Sequence, residues 1–228
     1  MKKKMLPALF MLLFASQLLA QGRFQAGGSF TVVSPRGAFR ENVDNLGYGL
    51  TGFFAWRIPE SPVLLGASFG FNVYGTETWE EPLVGPVFVD VTTTNALMNG
   101  LFFIRLQPAN GAIRPYLDGL AGFNYLTTDS QIDDVDDYEE IASSKNYDDW
   151  TSAHGLGGGL HIQVWEAKDY LNGPSRVFVD LGVRYLKGGE ARYLKKDGIE
   201  EVDGDFIYHV NRSTTHVTTF HVGVSVDF

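Results

Sequence analysis

Alternation is clearest at the end of the chain. Phe220, Val222, Val224, Val226 and Phe228 interleave with His221, Gly223, Ser225 and Asp227, so an extended segment there has one apolar face and one polar or small face. The same period of two recurs upstream. Phe24 to Val32, Tyr48 to Trp56, Leu65 to Val73 and Met98 to Arg105 each read as a strand, as do Leu117 to Tyr125, Leu156 to Val164 and Val177 to Tyr185. That predicts eight strands of about ten residues, an even number that starts and ends a sheet on one side.

The connections alternate in kind. Pro59-Glu60-Ser61-Pro62 and Pro108-Ala109-Asn110-Gly111 are tight turns built from residues that favour turn dihedrals, and Lys168 to Pro174 is a modest polar link. Between them fall longer segments, from Gly75 to Val91, Asp129 to Asp149 and Lys187 to Arg212. These read as loops, with Ala191 to Gly204 able to extend the last two strands as a hairpin. Short turns on one side and long loops on the other predict an all-β, eight-stranded antiparallel up-and-down transmembrane barrel. Strands of about 11 residues, tilted near 45°, cover roughly 25 Å, the height of an apolar membrane band. Phe24, Trp56 and Phe228 fall at one rim, with Tyr48, Tyr125, Trp150 and Tyr185 at the other, as aromatic girdles would.

The start of the chain has a different pattern. Lys2, Lys3 and Lys4 precede an apolar run from Leu6 to about Leu19, and Ala20 offers a small residue before Gln21. Residues 1–20 therefore read as a secretory signal peptide, and 21–228 as one barrel domain in the outer membrane. Loss of the three lysines would take the formal charge from −9 to −12. With 18 Lys+Arg against 27 Asp+Glu and no basic stripe, a nucleic-acid partner is not expected. The absence of cysteine removes disulfides, thiolate metal sites and a lipoprotein anchor together.

Arg114-Pro115-Tyr116-Leu117-Asp118-Gly119-Leu120-Ala121-Gly122-Phe123 and the closing Val222-Gly223-Val224-Ser225-Val226-Asp227-Phe228 resemble the small OmpA/OmpX-like outer-membrane barrels, especially the outer membrane beta-barrel proteins of Bacteroidota. The resemblance implies that Phe228 is the signal read by the barrel-assembly machinery, and it implies no activity. The structural rival is a secreted sandwich or lipocalin-like barrel, because soluble barrels alternate too. Arg57, Arg105, Asp118, Asp180 and Arg184 would be awkward in an apolar core, which counts against it.

Few residues offer chemistry. Arg57, Arg105, Asp118, His161, Asp180, Arg184 and His221 belong to the expected lumen face, and Arg105 and Asp118 flank the Pro108–Arg114 connection almost symmetrically, as cross-strand partners would. They read as a paired polar plug, or as the lining of a narrow path. Asp133, Asp134, Asp136, Asp137, Glu139 and Glu140 form an acidic surface loop without EF-hand spacing, so a solvated loop is favoured over a cation site. Ser152 and His154 share a face near the outer rim but lack an orienting group and an oxyanion donor. Gly155, Gly157, Gly158 and Gly159 lack the helix and Lys of a phosphate loop and suit close packing in a small barrel.

No cofactor or metal is implied. Outer-membrane lipid and the assembly machinery are the expected partners, with a surface ligand for the loops. The leading expectation is a non-enzymatic anchor whose loops make contacts or serve envelope integrity. The alternatives are a narrow channel for small solutes or ions and, last, a surface lipid hydrolase.

Overall fold

The computed structural model describes residues 23–228 except 44, 85–86, 135–139, 168–174 and 203–204, with backbone alone at the strand tips 77, 79–84, 87–91, 130–134, 140–147, 194–202 and 205–209. The segment read as a signal peptide, the Lys168–Pro174 link and Asp136, Asp137 and Glu139 lie outside the described residues. For Asp133, Asp134 and Glu140 only the backbone is described.

Eight strands close a barrel. They are β1 (Phe24–Pro35), β2 (Gly47–Arg57), β3 (Val63–Val84), β4 (Val87–Leu106), β5 (Ile113–Asp134), β6 (Glu140–Glu166), β7 (Arg176–Gly188) and β10 (Val217–Asp227). Around the wall they run β1-β10-β7-β6-β5-β4-β3-β2, each antiparallel to its neighbours. Closure joins the ends of the chain: Gln25 to Pro35 pair with Asp227 back to Val217, and Phe228 N donates to Phe24 O at 2.8 Å. Full closure leaves the barrel wall no free edge.

The alternating faces are sorted with the apolar set outward. Leu50, Phe69, Phe102, Leu117, Leu156 and Phe220 are exposed, Phe102 by 75 % and Leu156 by 72 %. Gln25, Asn99, Arg105, Asp118, Asn124, His161 and Asp180 are buried inside. A soluble sandwich or lipocalin-like barrel would turn these faces the other way.

Much of the sequence expected as long connections is strand. Residues 75–84 continue β3 and 87–91 belong to β4, while 129–134 continue β5 and 140–149 belong to β6, so the sheet runs on past the barrel mouth. β2 stops pairing with β3 at Val73, and β3 continues to Val84, about 35 Å more of strand. The segment after β7 forms a separate two-stranded sheet, β8 (Glu190–Val202) with β9 (Asp205–Thr214), rather than lengthening β7 and β10.

One short helix was also not anticipated. α1 (Ala38–Asn42) follows Gly37, whose φ of 57° suits glycine, and Asn42 Nδ2 donates to Ala38 O at 3.0 Å. The two tight turns sit where expected. Ser61 N donates to Ile58 O in one, and Gly111 takes a φ of 112° in the other.

Candidate functional site

Two layers of side chains fill the barrel, and the strand order explains which residues meet. Cross-strand register puts Arg105 on β4 opposite Asp118 on β5. Arg105 Nε and Nη2 donate to Asp118 Oδ1 and Oδ2 at 2.7 and 2.9 Å, a two-pronged pair with both side chains fully buried. The same guanidinium lies 3.8 Å from the centre of the Tyr116 ring and about equally far from Phe53 and Phe103, at 5.1 and 5.2 Å. Three ring faces therefore line the cation where water would otherwise stand.

Asp180 on β7 gathers groups from both neighbouring strands. Tyr116 Oη donates to Asp180 Oδ1 at 2.8 Å, while His161 Nε2 on β6 and His221 Nε2 on β10 stand 3.3 and 3.7 Å from that oxygen. Tyr116 has one proton and gives it to Asp180, so the 2.9 Å contact between its oxygen and His221 Nε2 assigns the donor role to His221. Both histidines flank β7, which is why strands not adjacent to each other bring them to one carboxylate.

Glycine makes this convergence fit. A Cβ on Gly182 would stand 2.5 Å from the His221 ring and 2.5 Å from the Tyr116 hydroxyl. Arg184 crosses the lumen from β7 to β3, four places round the wall, and Nη1 reaches Ser68 Oγ at 3.4 Å. Its Nη2 is 3.8 Å from Asp118, already held by Arg105.

At the turn end the network continues from Arg57 through Gln107 and Arg114, which the sequence analysis did not assign to the lumen face. Arg57 donates to Gln107 O and Oε1 at 3.0 Å each, and Gln107 Nε2 meets His161 Nδ1 at 2.9 Å. Arg114 Nη1 donates to Asp227 Oδ2 at 2.9 Å and lies 4.4 Å over the Phe178 ring. Gln25 completes the layer, donating to Asp227 Oδ1 at 2.8 Å. The signal was present in the parity of the strands: 107 continues the face of 105, and 114 and 116 continue that of 118.

The opposite mouth is closed by apolar residues. Val33, Leu97, Leu126, Leu186 and Val217 are buried there. Phe39 of α1 packs edge-on against Tyr74 at 5.7 Å and Tyr193 of β8 at 5.1 Å. Tyr193 Oη and Ser213 Oγ are 2.7 Å apart, and burial raises the Tyr193 phenol above its ordinary pKa despite that bond.

Ser152 and His154 both face outward and pair with Phe123 and Ala121. Among the described residues no carboxylate joins them. Phe228 lies at the β1–β10 seam beside Phe24. Of the aromatics expected at that rim, Trp150 packs at a tilt against Tyr125 at 4.5 Å and Phe123 at 4.9 Å.

No family model and no curated protein matches this chain. Solved structures do. Neisserial surface protein A is 12 % identical over 91 % of this chain and 98 % of its own, with a TM-score of 0.44. The attachment invasion locus protein Ail of Yersinia pestis is 13 % identical over 90 % and 97 %, with a TM-score of 0.37. A major outer membrane protein from Thermus thermophilus is 12 % identical over 90 % and 99 %, with a TM-score of 0.39.

Proposed function

We propose that this chain is a non-enzymatic outer-membrane barrel that anchors a projecting sheet and a hairpin for contacts at the cell surface. The observation that carries this reading is the sorting of faces: a hydrogen-bonded ionic interior inside a continuous apolar exterior. Exposed apolar surface on that scale needs lipid to cover it, and a closed barrel satisfies its own backbone there. Export through residues 1–20, insertion by the assembly machinery through Phe228, and membership of the OmpA/OmpX-like family belong to the same reading.

The part that makes contacts is the four-stranded extension of β3 to β6. Among the described residues β3 beyond Val73 pairs on one side only, so it offers a row of backbone donors and acceptors. Asp133 and Asp134 end β5 and Glu140 begins β6, where a surface ligand would meet them.

Against the channel alternative stand the Arg105–Tyr116 stack and the apolar cap, which fill the lumen at two levels. Against the hydrolase stands the isolation of Ser152 and His154 on the outward face. The test is refolding of residues 21–228 into detergent, followed by gel migration with and without boiling and by planar-bilayer recording. A heat-dependent shift with no stepwise conductance is expected. Solubility without detergent and no shift would overturn the membrane reading, and stepwise conductance would transfer it to the channel.

A further inference from the structure

The rim beside Trp150 carries a charged cleft that neither the plug nor the belt uses. Asp149, Glu190, Ala191, Arg192 and Arg212 line a cavity of about 270 Å³ between β6 and the β8–β9 hairpin. Its acidic groups are occupied. Asp149 Oδ1 accepts from Trp150 N and Oδ2 from Arg192 N, each at 2.8 Å. Glu190 is taken by Arg212 at 2.6 Å. The Arg192 guanidinium is exposed, and among the described residues no carboxylate reaches it. Lys187, paired in register with His154, adds a second exposed cation without a partner among the described residues.

Depth gives the cleft its meaning. Trp150, next to Asp149 in the chain, is 57 % exposed and packed at a tilt against Tyr125 and Phe123, as an aromatic at the headgroup level would be. Below it on β6 the outward face passes through Ser152 and His154 to Leu156, and on β7 Lys187 stands just above Tyr185. The free cations therefore lie where apolar belt gives way to polar rim.

We infer that the cleft between β6 and the β8–β9 hairpin binds the phosphate of an anionic lipid headgroup in the surrounding leaflet through Arg192, with Lys187 lower on β7 toward the belt. This rests on the membrane reading above. The lipid source follows from continuity with the belt: a phosphate seated at Arg192 would leave its acyl chains against Leu156 and Tyr185. The chain as a whole is acidic, at −9, so its overall field repels anionic lipid. A preference for such lipid must then come from a local site.

The test uses refolded residues 21–228 that already show the heat-dependent shift, so failure of insertion is seen separately. Native mass spectrometry in mixed micelles would count retained phosphatidic acid against phosphatidylcholine of the same acyl chains. We expect a preference for phosphatidic acid that falls about fivefold in Arg192→Gln and further in R192Q/K187Q. Arg176→Gln, at the opposite rim beside Glu166, should leave it unchanged. No preference in the parent protein, or one that R192Q/K187Q leaves intact, would overturn the site. Displacement of phosphatidic acid by millimolar inorganic phosphate would mark a soluble-anion site and overturn the lipid assignment.

Discussion

Arg105 meets Asp118 across the β4–β5 hairpin through two parallel hydrogen bonds, at 2.7 and 2.9 Å, with neither side chain open to solvent. The pair sits thirteen residues apart in sequence but directly opposite in register, so one tight turn brings it together. Low surrounding polarity makes such a pair costly to break and costly to assemble. Its ring lining from Tyr116, Phe53 and Phe103 supplies part of what water would give.

Removing one partner should therefore be worse than removing both. Asp118→Leu strands the Arg105 charge in the lumen and should cost about 3–5 kcal/mol. D118L combined with Arg105→Met should recover part of that loss, because the Arg105 charge is no longer stranded, while Arg184, 3.8 Å from Asp118, still loses its carboxylate. Urea unfolding in lipid vesicles, followed by tryptophan fluorescence, measures D118L, R105M and the double variant. Additive losses would mean that the two residues act independently.

The lipid face makes a prediction that depends on depth. Leu156 lies midway along the outward face of β6, and Trp150 lies at its rim. Leu156→Arg should cost about 2–4 kcal/mol, whereas Trp150→Arg should lose only about 0–1 kcal/mol from the charge itself. Equal small effects at both positions would describe a face open to water.

Close packing around Asp180 makes Gly182 intolerant of a side chain. A Cβ there meets the His221 ring and the Tyr116 hydroxyl, while Gly119, with nothing within 4 Å of its added Cβ, is open. Gly182→Val should abolish the heat-dependent gel shift, and Gly119→Val should keep it. The contrast is informative because both are strand glycines with the same propensity penalty.

These contrasts also show what the sequence made legible. Alternation located all eight barrel strands and sorted their faces, because an apolar outer wall and a packed polar lumen punish any mixing. It did not reveal that Gly75–Val84 and Glu140–Asp149 continue as strand. There the backbone ladder persists, while Glu77, Glu80 and Glu81, and Ser143, Ser144 and Lys145, break the binary pattern that would advertise it. α1 was missed because five residues are too short for a helical period. Gln107, Arg114 and Tyr116 were missed because they sit at strand ends that turn residues masked, although their parity with Arg105 and Asp118 placed them on the lumen face.

Tyr193 gives the mouth a dependence on alkaline pH. Burial raises its phenol above the ordinary value, so the folded cap favours the neutral form. Its contribution is fully present below about pH 10, the unfolded value, and is lost as pH rises through the raised folded value. Tyrosinate absorbance should show this residue titrating late, and Tyr193→Phe should take one phenol from the late-titrating set. Amide exchange in the hairpin root should quicken over the same range in the parent protein and not in Y193F.

Phe39 separates the cap from the plug beneath it. Its ring is buried edge-on between Tyr74 and Tyr193, yet α1 touches the barrel from a loop between β1 and β2 rather than from the wall. Phe39→Ala should remove about 3–5 kcal/mol of local packing. Hydrogen exchange should then accelerate across residues 38–42 and 190–193 and leave the β1–β10 ladder protected. The variant should also stay electrically silent in a planar bilayer, because Arg105, Tyr116 and Asp118 still fill the section below. Conductance in F39A would mean that the cap alone seals the lumen, and that the ionic layer beneath it admits small ions.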